Sequence, residues 1–246
     1  FVQQPNSNQF WDLLVIDRAT SAENHLFRAF QAFEFPAPQE FALNTAGDAA
    51  CFRLNEAGAS GSTGPGRVYV ANPAAPGSAT AVSAVASYNY RCDWAADGRR
   101  LAFLSRSVNG APLQWQVVDR TAPLAVSTLN ATPPAGEQLG IVTLARQRLR
   151  GYYTTTPSTG SGQSLWRVDL DQPGQATRFF AGWENGLPID PERLGLNAEG
   201  TMLAYRRGSP ATRLFLVSTE AAQYEFPITR SDATRGVTLF TWLPEN

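Results

Sequence analysis

Cys92-Asp93-Trp94-Ala95-Ala96-Asp97-Gly98-Arg99-Arg100-Leu101-Ala102-Phe103 reads as a strand, a tight turn and a second strand. Looser copies run from Phe41 to Phe52, Ile141 to Tyr152 and Leu194 to Tyr205. The turn glycine is Gly47, Gly98 and Gly200 in three copies, and Gln147 fills its slot in the copy between the last two. The copies start at intervals of 51, 49 and 53 residues. A period this long, built from short strands and turns, points to an all-β chain folded as a β-propeller.

The two ends of the chain fit the same repeat. Thr241-Trp242-Leu243-Pro244-Glu245-Asn246 matches the first strand and turn around Trp94, and Phe1-Val2-Gln3-Gln4 matches the second strand at Phe103-Leu104-Ser105-Arg106. Val15-Ile16-Asp17-Arg18 then falls against Val117-Val118-Asp119-Arg120 without a gap. The expectation is one domain over residues 1–246, a ring of five four-stranded blades: 238–246 joined with 1–30, then 39–86, 88–134, 138–182 and 192–231. Closure of that kind removes exposed sheet edges. The alternative is a fragment cut in phase from a larger propeller, in keeping with a first residue that is Phe1 and not Met.

The third strands are rich in β-branched and aromatic residues, for example Trp115-Gln116-Val117-Val118-Asp119 and Leu165-Trp166-Arg167-Val168-Asp169, as half-buried pleated surfaces require. On the innermost strands Phe41, Cys92, Ile141, Leu194 and Phe240 hold one slot, and Leu43, Trp94, Thr143, Leu196 and Trp242 hold the slot two residues on. Both slots share a face, so these side chains are expected to be packing between blades. Ligand stacking on Trp94 or Trp242 is the alternative.

The chain has 246 residues, is 43% hydrophobic and carries a net charge of −1. No apolar run approaches the roughly 18 residues of a membrane span, and no signal peptide is read. The charge balance argues against nucleic acid as a partner. All 20 basic residues are Arg, which excludes Schiff-base and P-loop lysine chemistry. His25 is the only histidine and sits at the start of an outer strand, so a Ser-His-Asp or Cys-His site and a zinc site are not expected. No metal or cofactor is expected.

Cys51 and Cys92 are the two cysteines, on adjacent blades. They are candidates for an inter-blade disulfide, which would imply an oxidising compartment; two buried free thiols are the alternative. Glu40, Glu137 and Glu192 precede or begin inner strands, Asp93 lies within one, and Arg91, Arg193 and Arg235 are nearby in the repeat. Paired carboxylates at a channel mouth can act as general acid and base on a glycoside. A rim of internally paired charges is the preferred account, because no spacing here defines a catalytic geometry.

Trp94-Ala95-Ala96-Asp97-Gly98-Arg99-Arg100-Leu101-Ala102-Phe103 resembles the repeat of TolB and its bacterial relatives, approximately Trp-Ser-Pro-Asp-Gly-x-x-Ile-Ala-Phe. Asn197 to Tyr205 and Trp242 to Asn246 follow it more loosely, and Ala46 and Arg146 replace its Asp. The resemblance implies a periplasmic, cell-surface or secreted bacterial propeller that binds a protein partner or copies of itself, without catalysis. Trp11, Trp183, Arg207, Arg91 and Arg193 are its candidate contacts. The alternative is a five-bladed glycoside hydrolase or a carbohydrate-binding lectin using Asp93, Glu40, Glu137 and Glu192.

Overall fold

The structure is a computed structural model that describes residues 2–3, 10–16, 19–30, 41–55, 64–75, 77–84, 88–123, 125–130, 136–157, 164–180, 189–197, 199–207, 213–220 and 225–229. Every regular element among them is a β-strand, and no helix among them is long and apolar enough to cross a membrane. The chain divides into two compact units, Phe1–Ser127 and Thr128–Asn246.

In the first unit, β1 (Val2–Gln3), β2 (Phe10–Ile16) and β3 (Glu23–Phe30) form a three-stranded antiparallel sheet. The next two repeats are β4 (Phe41–Leu43), β5 (Ala50–Asn55), β6 (Gly66–Ala71) and β7 (Thr80–Ala81), then β8 (Tyr88–Trp94), β9 (Arg100–Arg106), β10 (Gln114–Asp119) and β11 (Ser127–Thr128). They were expected as separate blades. A single parallel bridge, Gly66 opposite Tyr88, joins them into one eight-stranded sheet. Buried Asn89 holds that join, its Nδ2 donating to the Gly66 carbonyl at 2.5 Å and to Ser83 Oγ at 3.1 Å.

In the second unit, β12 (Glu137–Leu144), β13 (Arg150–Pro157), β14 (Ser164–Asp169) and β15 (Thr177–Phe180) form one four-stranded sheet. β16 (Ile189–Leu196), β17 (Met202–Arg207), β18 (Arg213–Ser218) and β19 (Glu225–Pro227) form another. The expected pairing of residues 238–246 with the first strands lies outside the described residues. No closed ring and no blade count is therefore established, and β1 pairs with β2.

Strand β5 shows why polar and apolar residues do not alternate here. Ala50, Phe52 and Leu54 point to one face and join a core with Ala71, against which Val15 of β2 packs. Cys51 points to the other face and joins Val68, Cys92, Trp94, Leu101, Phe103 and Val118. Both faces are covered, so both must be apolar. Full burial of Phe52 and Phe103 stabilises the unit by about 2–3 kcal/mol each. Trp94 belongs to this core, with its Nε1 donating to the Ala42 carbonyl at 3.1 Å. In the second unit, Leu165, Leu203, Tyr205, Phe215 and Val217 form the equivalent layer.

The proposed disulfide is corrected by this packing. Cys51 and Cys92 are both buried in one apolar cluster, yet both are free. They pack as small hydrophobes.

The repeated turn is held in two ways. Asp97 Oδ1 accepts from Arg99 N at 3.0 Å and Arg100 N at 2.9 Å. Where that Asp is replaced or displaced, an Asn at the head of the turn does the same work. Asn44 Oδ1 accepts from Ala49 N at 3.1 Å, and Asn197 Oδ1 from Thr201 N at 2.9 Å and Met202 N at 2.8 Å. The third copy is shifted by one residue from the sequence alignment. Leu144 pairs with Gly151 and Ala145 N donates to Arg150 O, as Trp94 pairs with Leu101 and Ala95 N donates to Arg100 O. Leu144, not Thr143, is thus the counterpart of Trp94. The shift shows in the cross-strand pairs Arg100–Asp119 and Arg150–Asp169.

The turn carbonyls also tie neighbouring strand pairs together. Gly98 O accepts from Asn44 Nδ2 at 3.0 Å; Gly200 O accepts from Tyr152 Oη at 3.1 Å and Thr219 Oγ1 at 2.7 Å. Gly47 and Gly200 share a left-handed φ, +71° and +69°, but a Cβ on Gly47 meets nothing while one on Gly200 meets Ala145 Cβ at 2.7 Å. Gly47→Ala should therefore cost about 1–2 kcal/mol of backbone strain, and Gly200→Ala at least about 1 kcal/mol more from overpacking. Urea unfolding of the two variants checks the ordering; equal losses would contradict the packed turn. A thiol assay gives a second test. Both cysteines should react in the unfolded, unreduced chain and neither in the folded chain.

Candidate functional site

A bulge in β8 creates the most unusual constellation in the first unit. Register shifts between Tyr90 and Cys92, opposite Leu104 and Phe103, leaving Arg91 as the extra residue. Arg91 is exposed and has φ of +44°, a left-handed conformation that costs a non-glycine residue about 1–3 kcal/mol. The bulge also changes which residues are buried: Asn89 before it, Cys92 and Trp94 after it. Tyr88 and Tyr90 are left half-buried.

Two further arginines converge on these tyrosines. Arg53 on β5 is fully buried, stacks 5.7 Å from the Tyr90 ring centre and donates through Nη2 to the Gly64 carbonyl at 2.5 Å. Gly66 permits that approach, because a Cβ there would lie 2.9 Å from the Arg53 Nε and Nη2. Arg106 at the end of β9 stacks 5.4 Å from Tyr88 and 5.3 Å from Tyr90, and its Nη2 donates to Tyr90 Oη at 2.7 Å. Its Nε is buried and has no acceptor among the described residues. Cation–π contacts of this kind contribute about 0.5–2 kcal/mol each.

The opposite end of the same strands is charged differently. There Arg99 pairs with Asp119 at 2.5 Å and Arg120 holds Asp48 through two bonds of 3.1 and 3.0 Å. The Arg99 hydrogen bond holds the Asp119 carboxyl well below the usual carboxylate range, and Arg120 followed by Asn44 lowers Asp48. A shallow cleft of about 380 Å³ opens beside this end, lined by Asp48, Asn72, Ser78, Thr80, Arg120 and Pro123. Its polar groups are used internally: Ser78 Oγ bonds Asn72 N and O, and Asp48 bonds Arg120. Arginines are thus neutralised by carboxylates at one end and stacked on tyrosines at the other.

The expected site residues fall as follows. Asp93 is exposed on β8 and its Oδ1 accepts from Trp94 N at 2.8 Å. Glu137 on β12 accepts from Thr155 Oγ1, which also accepts from Trp166 Nε1 at 2.9 Å. Glu192 and Arg193 lie on β16, between Ile189 and Leu194, where the register shifts. Trp11 is on β2 opposite Ala29, and Arg207 on β17 opposite Arg213; the side chains of these four are not described. Glu40, Trp183 and Arg235 lie outside the described residues. Among the described residues no three metal-ligand side chains converge. Of the predicted contacts, Arg91 alone adjoins the arginine–tyrosine cluster, as the bulge residue after Tyr90. Tyr88, Tyr90, Arg53 and Arg106 were missed, although the run Tyr88-Asn89-Tyr90-Arg91 is visible in the chain.

No family model matches the chain, and no curated protein does. Solved structures do match. A prolyl endopeptidase aligns at 12% identity over 92% of this chain and 32% of its own, with a TM-score of 0.63. The oligogalacturonate lyase of Vibrio parahaemolyticus aligns at 9% over 89% and 61%, with a TM-score of 0.66. The tricorn protease aligns at 14% over 89% and 25%, with a TM-score of 0.55. The likeness supports a propeller-like fold and does not single out TolB. The chain spans about a third, three fifths and a quarter of these neighbours. The expectation that the chain is not an enzyme is corrected here. The solved structures that it matches are those of enzymes, at 9–14% identity.

The ion-paired end yields a pH prediction. A depressed Asp119 pKa contributes stability that is complete above the unfolded value near about 4 and is lost as pH falls toward the folded value. Asp119→Asn should therefore flatten the acid limb of stability below about pH 4, as read from urea midpoints across pH. An unchanged limb would contradict the pair.

Proposed function

We propose that this chain is the ligand-recognition propeller of an enzyme, and that its ligand is a polypeptide. The arginine–tyrosine cluster of Arg53, Tyr88, Tyr90 and Arg106, with exposed Arg91 next to it in the chain, carries the reading. Tyrosine and arginine dominate binding hot spots because each offers a large flat surface with hydrogen-bonding edges at little entropic cost. Stacking on Tyr88 and Tyr90 holds Arg106 in place before a ligand arrives, and such preorganisation favours affinity. Two of the neighbours are protein-cleaving enzymes, which supports a polypeptide ligand. In this proposal the chain is a TolB-type repeat protein acting outside the bacterial cytoplasm.

An acidic oligosaccharide is the second reading. It is favoured by the cationic character of the cluster and by the lyase neighbour, of which this chain spans 61%.

Backbone hydrogen exchange on the intact chain separates the two. A reduced, carboxymethylated polypeptide should protect residues 88–91 and 104–106. Protection by tri-galacturonate alone would replace the first reading with the second. Protection by neither would remove both.

A further inference from the structure

We infer that the arginine–tyrosine cluster recognises a carboxylate on its polypeptide ligand, with Arg106 and Arg91 as the contacts. The inference rests on the polypeptide-binding reading and adds the chemical group that the site selects.

The argument begins with charge. Arg106 and Arg91 have no carboxylate within ion-pair distance among the described residues, whereas Arg99, Arg100 and Arg120 at the other end of the same sheet each have one. Arg106 is half-buried and its Nε is shielded from solvent without an acceptor. A guanidinium in that position has lost hydration without gaining a counter-charge, which is unfavourable until an anion supplies one.

Geometry points the same way. The Arg106 guanidinium carbon lies 5.4 Å from the Tyr88 ring centre and 5.3 Å from that of Tyr90. One edge hydrogen bond goes to Tyr90 Oη. A guanidinium carries five N–H donors in its plane, matched to the two oxygens of a carboxylate. Tyr90 accepts from Arg106 through its hydroxyl oxygen, so its own proton remains available to donate. The bulge adds Arg91, held exposed by its left-handed backbone immediately after Tyr90. Bulges re-aim side chains, and the exposed residue at this one is a cation that follows Tyr90 directly in the chain.

The test uses the intact chain and fluorescein-labelled decapeptides, one alternating Gly and Glu and one alternating Gly and Gln, with anisotropy read at about 0.1 M salt. The Glu peptide should bind at least about tenfold more tightly than the Gln peptide. Arg106→Gln and Arg91→Gln should each remove most of that preference. Arg106→Lys, which keeps the charge and loses the fork, should fall between. Arg91 is exposed, so Arg91→Gln decides the matter if Arg106→Gln fails to fold. Equal binding of both peptides would overturn the carboxylate inference and leave polypeptide binding standing. Binding of tri-galacturonate with neither peptide bound would overturn the polypeptide reading and this inference with it. A Glu preference unchanged in all three variants would place the carboxylate site elsewhere and overturn the assignment.

Discussion

Strand β5 has no solvent face, and the first unit depends on that constraint. Ala50, Phe52 and Leu54 are covered on one side by residues that include Val15, and Cys51 on the other by Cys92, Trp94 and Phe103. A sheet buried on both faces gains apolar burial twice per strand but leaves no place for a solvated charge. Arg53, on the Cys51 face, is the exception that shows the rule. It is fully buried, and its guanidinium is met by an aromatic ring and the Gly64 carbonyl. Two-sided burial therefore gives the core its apolar continuity and the cluster at Tyr90 its chemistry.

The turns set the spacing of these layers. Two of the turns supply a glycine carbonyl to a side chain of the neighbouring strand pair, Gly98 to Asn44 in the first unit and Gly200 to Tyr152 in the second. Asp97, Asn44 and Asn197 satisfy the turn amides by different routes to the same end. The repeat therefore tolerates loss of its Asp. In three of the copies an acceptor oxygen near the head of the turn satisfies its amides.

Charge is sorted along the strands. The hairpin-turn end of the first unit holds its arginines in carboxylate pairs, and the opposite end holds Arg53 and Arg106 against tyrosines. Exposed pairs contribute little to stability, so the first arrangement serves mainly to neutralise. The second concentrates donors that are oriented and partly desolvated. The difference is one of electrostatic state, and a net charge of −1 conceals it. Of the carboxylates singled out for general acid–base work, Asp93 accepts from the next amide and Glu137 from a threonine hydroxyl.

The sequence by itself determined that this is a β protein and where three of its turns fall; of the inner-strand positions expected in the core, Cys92 and Trp94 are buried but Leu43 is exposed. Those features are local: strand pleat has a period of two, and Gly47, Gly98 and Gly200 mark a left-handed turn residue without reference to the rest of the chain. Only the tertiary structure decided the rest. The third repeat is shifted by one residue, which shows in Arg150 lying opposite Asp169, a partner on another strand. Cys51 and Cys92 share a core without bonding, since a disulfide needs a particular Cβ geometry that shared burial does not supply. Arg53, Tyr90 and Arg106 come from three strands and meet beside a bulge at Arg91. A sequence pattern records the period of a strand, whereas contacts across strands depend on where the fold places each one.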